Sequence, residues 1–220
     1  MTDHGGNAIR TVLLDIDGTL LDTRTYILAA FACTAGRFAF SLPPADILTR
    51  EIGRPLEAIY HELAPNAVVS DLIECHRTFQ EENLDLVQAF PGCVEALSVL
   101  GDEGVALAAV TSRSRRTSVS SLDIAGIGHF FRIVVSAEDV PALKPDPAPL
   151  RAALLMLERT DAGAAMVGDT VHDVHAGQAM GIPTVAALYG FGGQSVLAAA
   201  PSLTIAAISD LPAALAKLGR

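Results

Sequence analysis

Apolar residues follow two alternating rhythms along the chain. Thr11–Asp15 (TVLLD), Val105–Val110 (VALAAV), Arg132–Ser136 (RIVVS), Ala164–Gly168 (AAMVG) and Pro183–Ala187 (PTVAA) are short, nearly continuous apolar runs. Their length and lack of polar alternation predict strands buried on both faces, and Leu203–Ala206 fits as a sixth. Between them, apolar positions recur at helical spacing: Val94, Leu97 and Leu100, then Leu150, Leu154 and Leu157. Buried strands alternating with helices predict an α/β fold, a doubly wound parallel sheet with helices on both faces.

The rhythm changes between the first two strands. Residues 22–90 hold no strand-like run but several helical stripes. Ile27, Phe31, Thr34 and Phe38 share one face, as do Leu56, Ile59, Tyr60 and Leu63, and then Val68, Leu72, Cys75, Phe79 and Leu86. A helical unit inserted over 22–90 is expected, returning to the sheet near Phe90-Pro91-Gly92. The sheet domain would then comprise residues 1–21 and 91–220.

Composition narrows the classes. Half of the 220 residues are apolar and 18% are charged, enough for a sizeable core and against wholesale disorder. A net charge of −10 argues against a nucleic-acid partner or an anionic membrane surface. Residues 176–209 carry no charge, yet Gly181, Pro183, Gly190, Gly192, Gly193 and Pro201 divide them into pieces too short to span a bilayer. Met1–Ala8 is polar, without the layout of a leader. Cys33, Cys75 and Cys93 are widely spaced and form no CxxC pair, so neither a disulfide framework nor a zinc cage is expected. A soluble cytoplasmic protein is the expectation.

Parallel doubly wound sheets carry their sites at the carboxyl ends of strands. Four features fall there. Asp15-Ile16-Asp17-Gly18-Thr19-Leu20 follows the first strand, with two carboxylates on one side if the extended geometry continues. Gly18 permits a turn that brings amides toward an anion, although an Asp-Gly turn with a spare acid is the plainer reading. Thr111-Ser112 ends the second strand, as either a phosphate cradle or a helix N-cap. Lys144-Pro145 follows the third; Lys144 and Lys217 are the only lysines, and a solvated surface lysine is the alternative. Gly168-Asp169-Thr170-Val171-His172-Asp173 ends the next, where Asp173 either caps a helix or joins the acids. Asp15, Asp17 and Asp169 at one sheet edge would repel unless a cation sat among them, and hard oxygen ligands in an open cluster favour Mg²⁺.

In these four motifs and in their order, the sequence resembles the haloacid dehalogenase superfamily of phosphotransferases. The resemblance covers nearly the whole chain. The insert over 22–90 looks like that family's small mobile cap, and the stretch from Gly177 resembles the phosphoglycolate phosphatase branch. Ser112 stands where Asn is common. The resemblance implies a phosphatase acting on a small phosphorylated metabolite. Asp15 would be the nucleophile and Asp17 the general acid, then base. Thr111, Ser112, Gly18 and Lys144 would hold phosphate, with Lys144 also shielding Asp15. Asp169, the Asp15 carboxylate and the Asp17 carbonyl would hold Mg²⁺, with Asp173 orienting or hydrating it. Gly53 and Arg54, between two cap stripes, form an ordinary turn or a loop over the site in which Arg54 meets a substrate anion.

Within the superfamily, phosphonate cleavage through a cap lysine is excluded because 22–90 contains no lysine. Dehalogenation is disfavoured by the presence of Asp17. Inorganic pyrophosphatase and sugar-phosphate phosphatase or mutase remain as alternatives, and a non-catalytic phosphate-binding module is a reading of a different class. His172 and His175 are expected to be solvated or peripheral. Arg113, Arg115 and Arg116 are expected to line an exposed helix start, and the cysteines to be small buried apolar groups.

Overall fold

The computed structural model describes residues 8–219, so nearly all of the polar stretch Met1–Ala8 lies outside the described residues. Strands form at all six expected runs: β1 (Thr11–Leu14) near the start, then, after a two-residue strand β2 (Leu21–Asp22), four helices follow. These are α1 (Arg24–Phe38), α2 (Ala45–Arg50), α3 (Leu56–Leu63) and α4 (Val69–Glu82). The chain continues through β3 (Gln88–Ala89), α5 (Cys93–Asp102), β4 (Ala106–Val110), α6 (Arg115–Ile124), β5 (Ile133–Val135), α7 (Ala148–Met156) and β6 (Ala164–Gly168). It ends with α8 (Val171–Ala179), β7 (Thr184–Ala187), β8 (Leu203–Ile205) and α9 (Leu211–Leu218).

Six strands form one parallel sheet in the order β5-β4-β1-β6-β7-β8. Successive side chains point to opposite faces, so each buried strand feeds two cores. Val12 and Leu14 join α5, α6 and α9 on one face, through Leu97, Leu100, Leu122, Leu211 and Leu215. Leu13, Ala108, Val110 and Met166 join α7 and α8 on the other, through Leu150, Leu154 and Ala176. Register then determines what emerges at the edge. Leu14 lies beside Ala109 and Val167, so Asp15 leaves β1 level with the ends of β4 and β6.

The strand-free reading of 22–90 is corrected at its margins. Leu21 and Asp22 pair antiparallel with Ala89 and Gln88, a ribbon too short to leave a period in the sequence. Between these strands, α1 buries Ile27, Phe31 and Thr34 as expected. The buried ridge of α4, however, is Leu72, His76 and Gln80, while Cys75 and Phe79 are only partly covered and Cys33 is exposed. His76 is tolerated there because its ring is partnered, and the backbone of α4 is tied to α1 as well. Tyr60 Oη and His76 Nδ1 share a hydrogen bond of 2.8 Å, and Tyr26 Oη donates to the Gln80 carbonyl at 2.9 Å. The Phe31 ring meets the His76 ring edge-on at 4.7 Å.

Burial, with the charges of Arg113 and Arg77, lowers the His76 pKa from 6.5 to about 3. Between those values the unfolded chain binds more protons, so His76 makes stability fall as pH falls, by up to ~1.4 kcal/mol per pH unit. In melting scans at pH 7 and pH 5, the shift in Tm on acidification should be more favourable in His76→Gln than in the wild type, whatever the carboxylates contribute to both. An equal shift would mean that the ring is not held neutral by the fold. No helix among the described residues is long and apolar enough to cross a membrane.

Candidate active site

A cleft of about 820 Å³, its open mouth included, lies at the carboxyl ends of the strands and faces α1, α3 and α4. Its floor is Asp15, Asp17, Thr111, Ser112, Lys144 and Asp173. The Lys144 ammonium donates to Asp15 Oδ1 at 2.5 Å and to the Val110 carbonyl at 2.9 Å, and lies 2.6 Å from Asp173 Oδ1. Lys144 is therefore no surface lysine. Burial works against its charge, but Asp15 and Asp173 outweigh burial and hold the ammonium above the ordinary lysine range.

Carboxylates outnumber cations here. Burial pushes the Asp15 pKa well up; Lys144 pulls it back, and Asp173, Asp169 and Asp17 raise it further. Burial and then Asp173 raise Asp169 to about 7, against hydrogen bonds from the Gly192 and Phe191 amides. Asp15, Asp169 and Asp173 offer oxygens that all lie within 4.8 Å of one another. Buried hard donors with unbalanced negative charge fit a divalent cation of the Mg²⁺ type.

Asp173 serves two of its anticipated purposes at once. Its Oδ2 accepts from the Thr170 amide and hydroxyl at 3.0 and 2.6 Å in a capping box at the start of α8, leaving Oδ1 toward Lys144. Thr111 and Ser112 do not cap α6, whose N-cap is Ser114; the Thr111 hydroxyl instead accepts from the Arg113 amide at 3.1 Å at the cleft floor.

Gly18 needs correction. Its amide donates to the Leu21 carbonyl at 2.9 Å, and it is not among the cleft-lining residues, so it does not present an amide to phosphate. The glycine is required for space and for its φ of +82°: a Cβ there would sit 2.4 Å from Asp169 Oδ2. Gly190 and Gly192 also lie against Asp169.

Gly53 and Arg54 line the cleft as expected, but the Arg54 guanidinium is occupied by ion pairs to Glu51 and Glu62. Arg77, on α4, lines the same cleft and has no acidic partner among the described residues. His175 is exposed, whereas His172 lines the cleft, with its pKa lowered chiefly by burial.

Arg113 is the residue the sequence misplaced. Arg115 and Arg116 are exposed as anticipated, but the Arg113 side chain is only 12% exposed and binds Asp17 Oδ1 at 2.9 Å. The usable signal was its offset of two from Thr111 at a strand end, which places both side chains on one side.

A model of the family described as haloacid dehalogenase-like hydrolase matches residues 12–187, with the Asp15, Thr111, Lys144 and Asp169 positions all inside the match. The chain belongs to that family. The pyrophosphatase PpaX of Bacillus pumilus is 34% identical, over 93% of this chain and 95% of its own. PpaX of Bacillus mycoides is 32% identical, over 96% and 98%. A crystal structure of a predicted phosphoglycolate phosphatase from Haemophilus somnus superposes with a TM-score of 0.85 at 19% identity, over 94% of this chain and 97% of that one. A predicted phosphatase from Clostridium acetobutylicum gives 0.85 at 23% identity, over 96% and 99%. These two likenesses concern the fold. The sequence match makes the protein a hydrolase.

Proposed function

We propose that this hydrolase is a Mg²⁺-dependent phosphatase of small phosphomonoesters, phosphoglycolate-like in size, working through a phosphoryl group carried on Asp15. Residues 1–21 and 91–220 would form the catalytic core and 22–90 a cap. The observation that carries this reading is the Asp15 carboxylate at the cleft floor, one oxygen on Lys144 and Asp17 beside it in the same cleft. A carboxylate attacking a phosphoryl group needs its charge screened and its lone pair aimed, and little else from the protein. Lys144 holds Asp15 against rotation. Thr111 offers its hydroxyl and Ser112 its backbone amide to the phosphoryl oxygens. Asp17 hands a proton to the leaving oxygen and takes one back from the water that releases phosphate. Mg²⁺, held by the Asp15 and Asp169 carboxylates and the Asp17 carbonyl with Asp173 beside them, would supply charge neutralisation when bound.

Pyrophosphate is the second reading, and the PpaX relatives favour it. The cleft itself favours an organic leaving group. Its far side is Ile27, Phe31, Ile52, Leu56 and Ile59, and Arg77 is the cation left to meet a negative charge there. The deciding experiment is phosphate release with Mg²⁺ from p-nitrophenyl phosphate, phosphoglycolate, sugar phosphates and pyrophosphate. Monoesters should exceed pyrophosphate in kcat/KM by about tenfold or more, the worth of one good charge-assisted contact. The reverse order would assign a pyrophosphatase, and no turnover of any would leave a phosphate-binding module. On an anionic monoester, Arg77→Ala should cost about ten- to a hundredfold in kcat/KM, whereas Arg54→Ala should cost less than about threefold. The opposite ranking would return the anion contact to Arg54.

A further inference from the structure

We infer that Arg113 is a positioning residue: it fixes the rotation of the Asp17 carboxyl so that Oδ2 is the oxygen that carries the proton. The inference rests on the acid–base reading of Asp17 given above. Two donors converge on the other oxygen: Thr23 Oγ1 at 2.6 Å and Arg113 Nη1 at 2.9 Å, both to Oδ1. Thr23 stands at the N-cap of α1, yet its hydroxyl makes no cap bond there. Oδ2 has no protein donor among the described residues, and Asp17 lines the cleft. With Oδ1 accepting two hydrogen bonds, a proton on the carboxyl resides on Oδ2, the oxygen left toward substrate.

The guanidinium is itself held through both terminal nitrogens. Its Nη2 donates to Tyr26 Oη at 3.2 Å, the Thr117 carbonyl at 3.2 Å and Ser121 Oγ at 3.0 Å, and its centre lies 5.1 Å from the Tyr26 ring centroid. Tyr26 Oη in turn donates to the Gln80 carbonyl on α4. Asp17 is thus tied through one side chain both to α6 and to the α1–α4 helices. The chemistry balances in two steps. The Oδ2 proton passes to the leaving oxygen as its bond to phosphorus breaks, and Oδ2 regains a proton from the water that displaces Asp15 from phosphorus.

The test is a double-mutant cycle on Asp17→Asn and Arg113→Met, with p-nitrophenyl phosphate and an alkyl phosphate as substrates. Asp17→Asn alone should lower kcat by about 10²–10⁴. Arg113→Met alone should lower kcat by about ten- to a hundredfold and move KM by less than about threefold. Combined with Asp17→Asn it should add less than about threefold, because the carboxyl it aims is gone. Arg113→Lys should recover much of kcat by restoring one donor to Oδ1. Equal losses in both backgrounds, or a loss confined to KM, would overturn the inference and make Arg113 a scaffold or substrate contact. Near-normal kcat in Asp17→Asn would instead remove the acid–base reading itself. If Arg113→Met does not fold, Arg113→Gln run through the same cycle decides by the same criterion.

Discussion

Asp15→Asn should fold, melt no lower than the wild type and lose turnover by more than about 10⁴-fold. The amide cannot form an acyl phosphate, so no substrate should escape the loss. Stability is expected to survive because the change removes one of several buried carboxylates that repel one another. Lys144 keeps the Val110 carbonyl and Asp173 as partners. Acid-quenched wild-type protein incubated with labelled substrate should retain phosphoryl label, and Asp15→Asn should retain none. Turnover near the wild-type rate in rigorously purified Asp15→Asn would remove Asp15 from the chemistry.

Chelation should be nearly as severe, and visible without any substrate. EDTA should abolish phosphate release and Mg²⁺ restore it, whereas Ca²⁺ should restore it poorly because its larger, more variable shell holds ligands differently. The carboxyl pKa values give the sign of the stability effect. Asp15 and Asp169 are raised in the folded chain above the unfolded value of 3.8. Their protonated forms favour folding below that value, and the benefit is lost as pH rises through the folded pKa, about 7 for Asp169. Ion-free protein should therefore weaken from about pH 4 to pH 7 on account of these acids, and the gain in Tm from Mg²⁺ should grow over the same range. At a Mg²⁺ concentration ~100-fold above its Kd, the stabilisation is ~2.7 kcal/mol, or about 5–10 °C for a chain of this size. Asp169→Asn should lose both the activity and the Mg²⁺-dependent rise in Tm while melting no lower without metal. An unchanged Tm with and without Mg²⁺ at pH 8 would argue that the acid cluster holds no cation.

Much of this site was legible because its elements announce themselves twice. TVLLD, VALAAV and AAMVG are apolar enough to be read as buried strands, and in-register pairing brings their ends to one edge. Asp15, Thr111 and Asp169 follow from that geometry alone. Lys144 was readable because lysine is rare in this chain. What escaped depends on contacts across the fold. His76 sits on the buried ridge of α4 because Tyr60 partners its ring, and sequence spacing carries no sign of that. Arg54 and Arg77 look alike as basic residues of the insert, and only Glu51 and Glu62 distinguish them. Gly18 is legible as a turn residue, and its φ of +82° agrees; the room it leaves for Asp169, 151 positions later, is not legible, and its own amide goes to Leu21 rather than to phosphate.

The ribbon of Leu21–Asp22 against Gln88–Ala89 has an evolutionary corollary. The chain leaves the sheet and returns to it across adjacent, hydrogen-bonded strands, and the Phe90 amide then bonds the Leu20 carbonyl at 3.0 Å. Strand order and register are thus complete without α1–α4. Lengthening the exposed loops of that stretch carries mainly the slowly growing entropy of closing a longer loop. Changes confined to those loops leave the pairing of β1 with β4 and β6 untouched. If that stretch faces the leaving group as proposed, insertion and deletion there would remodel its surroundings while the acids at the strand ends stay put.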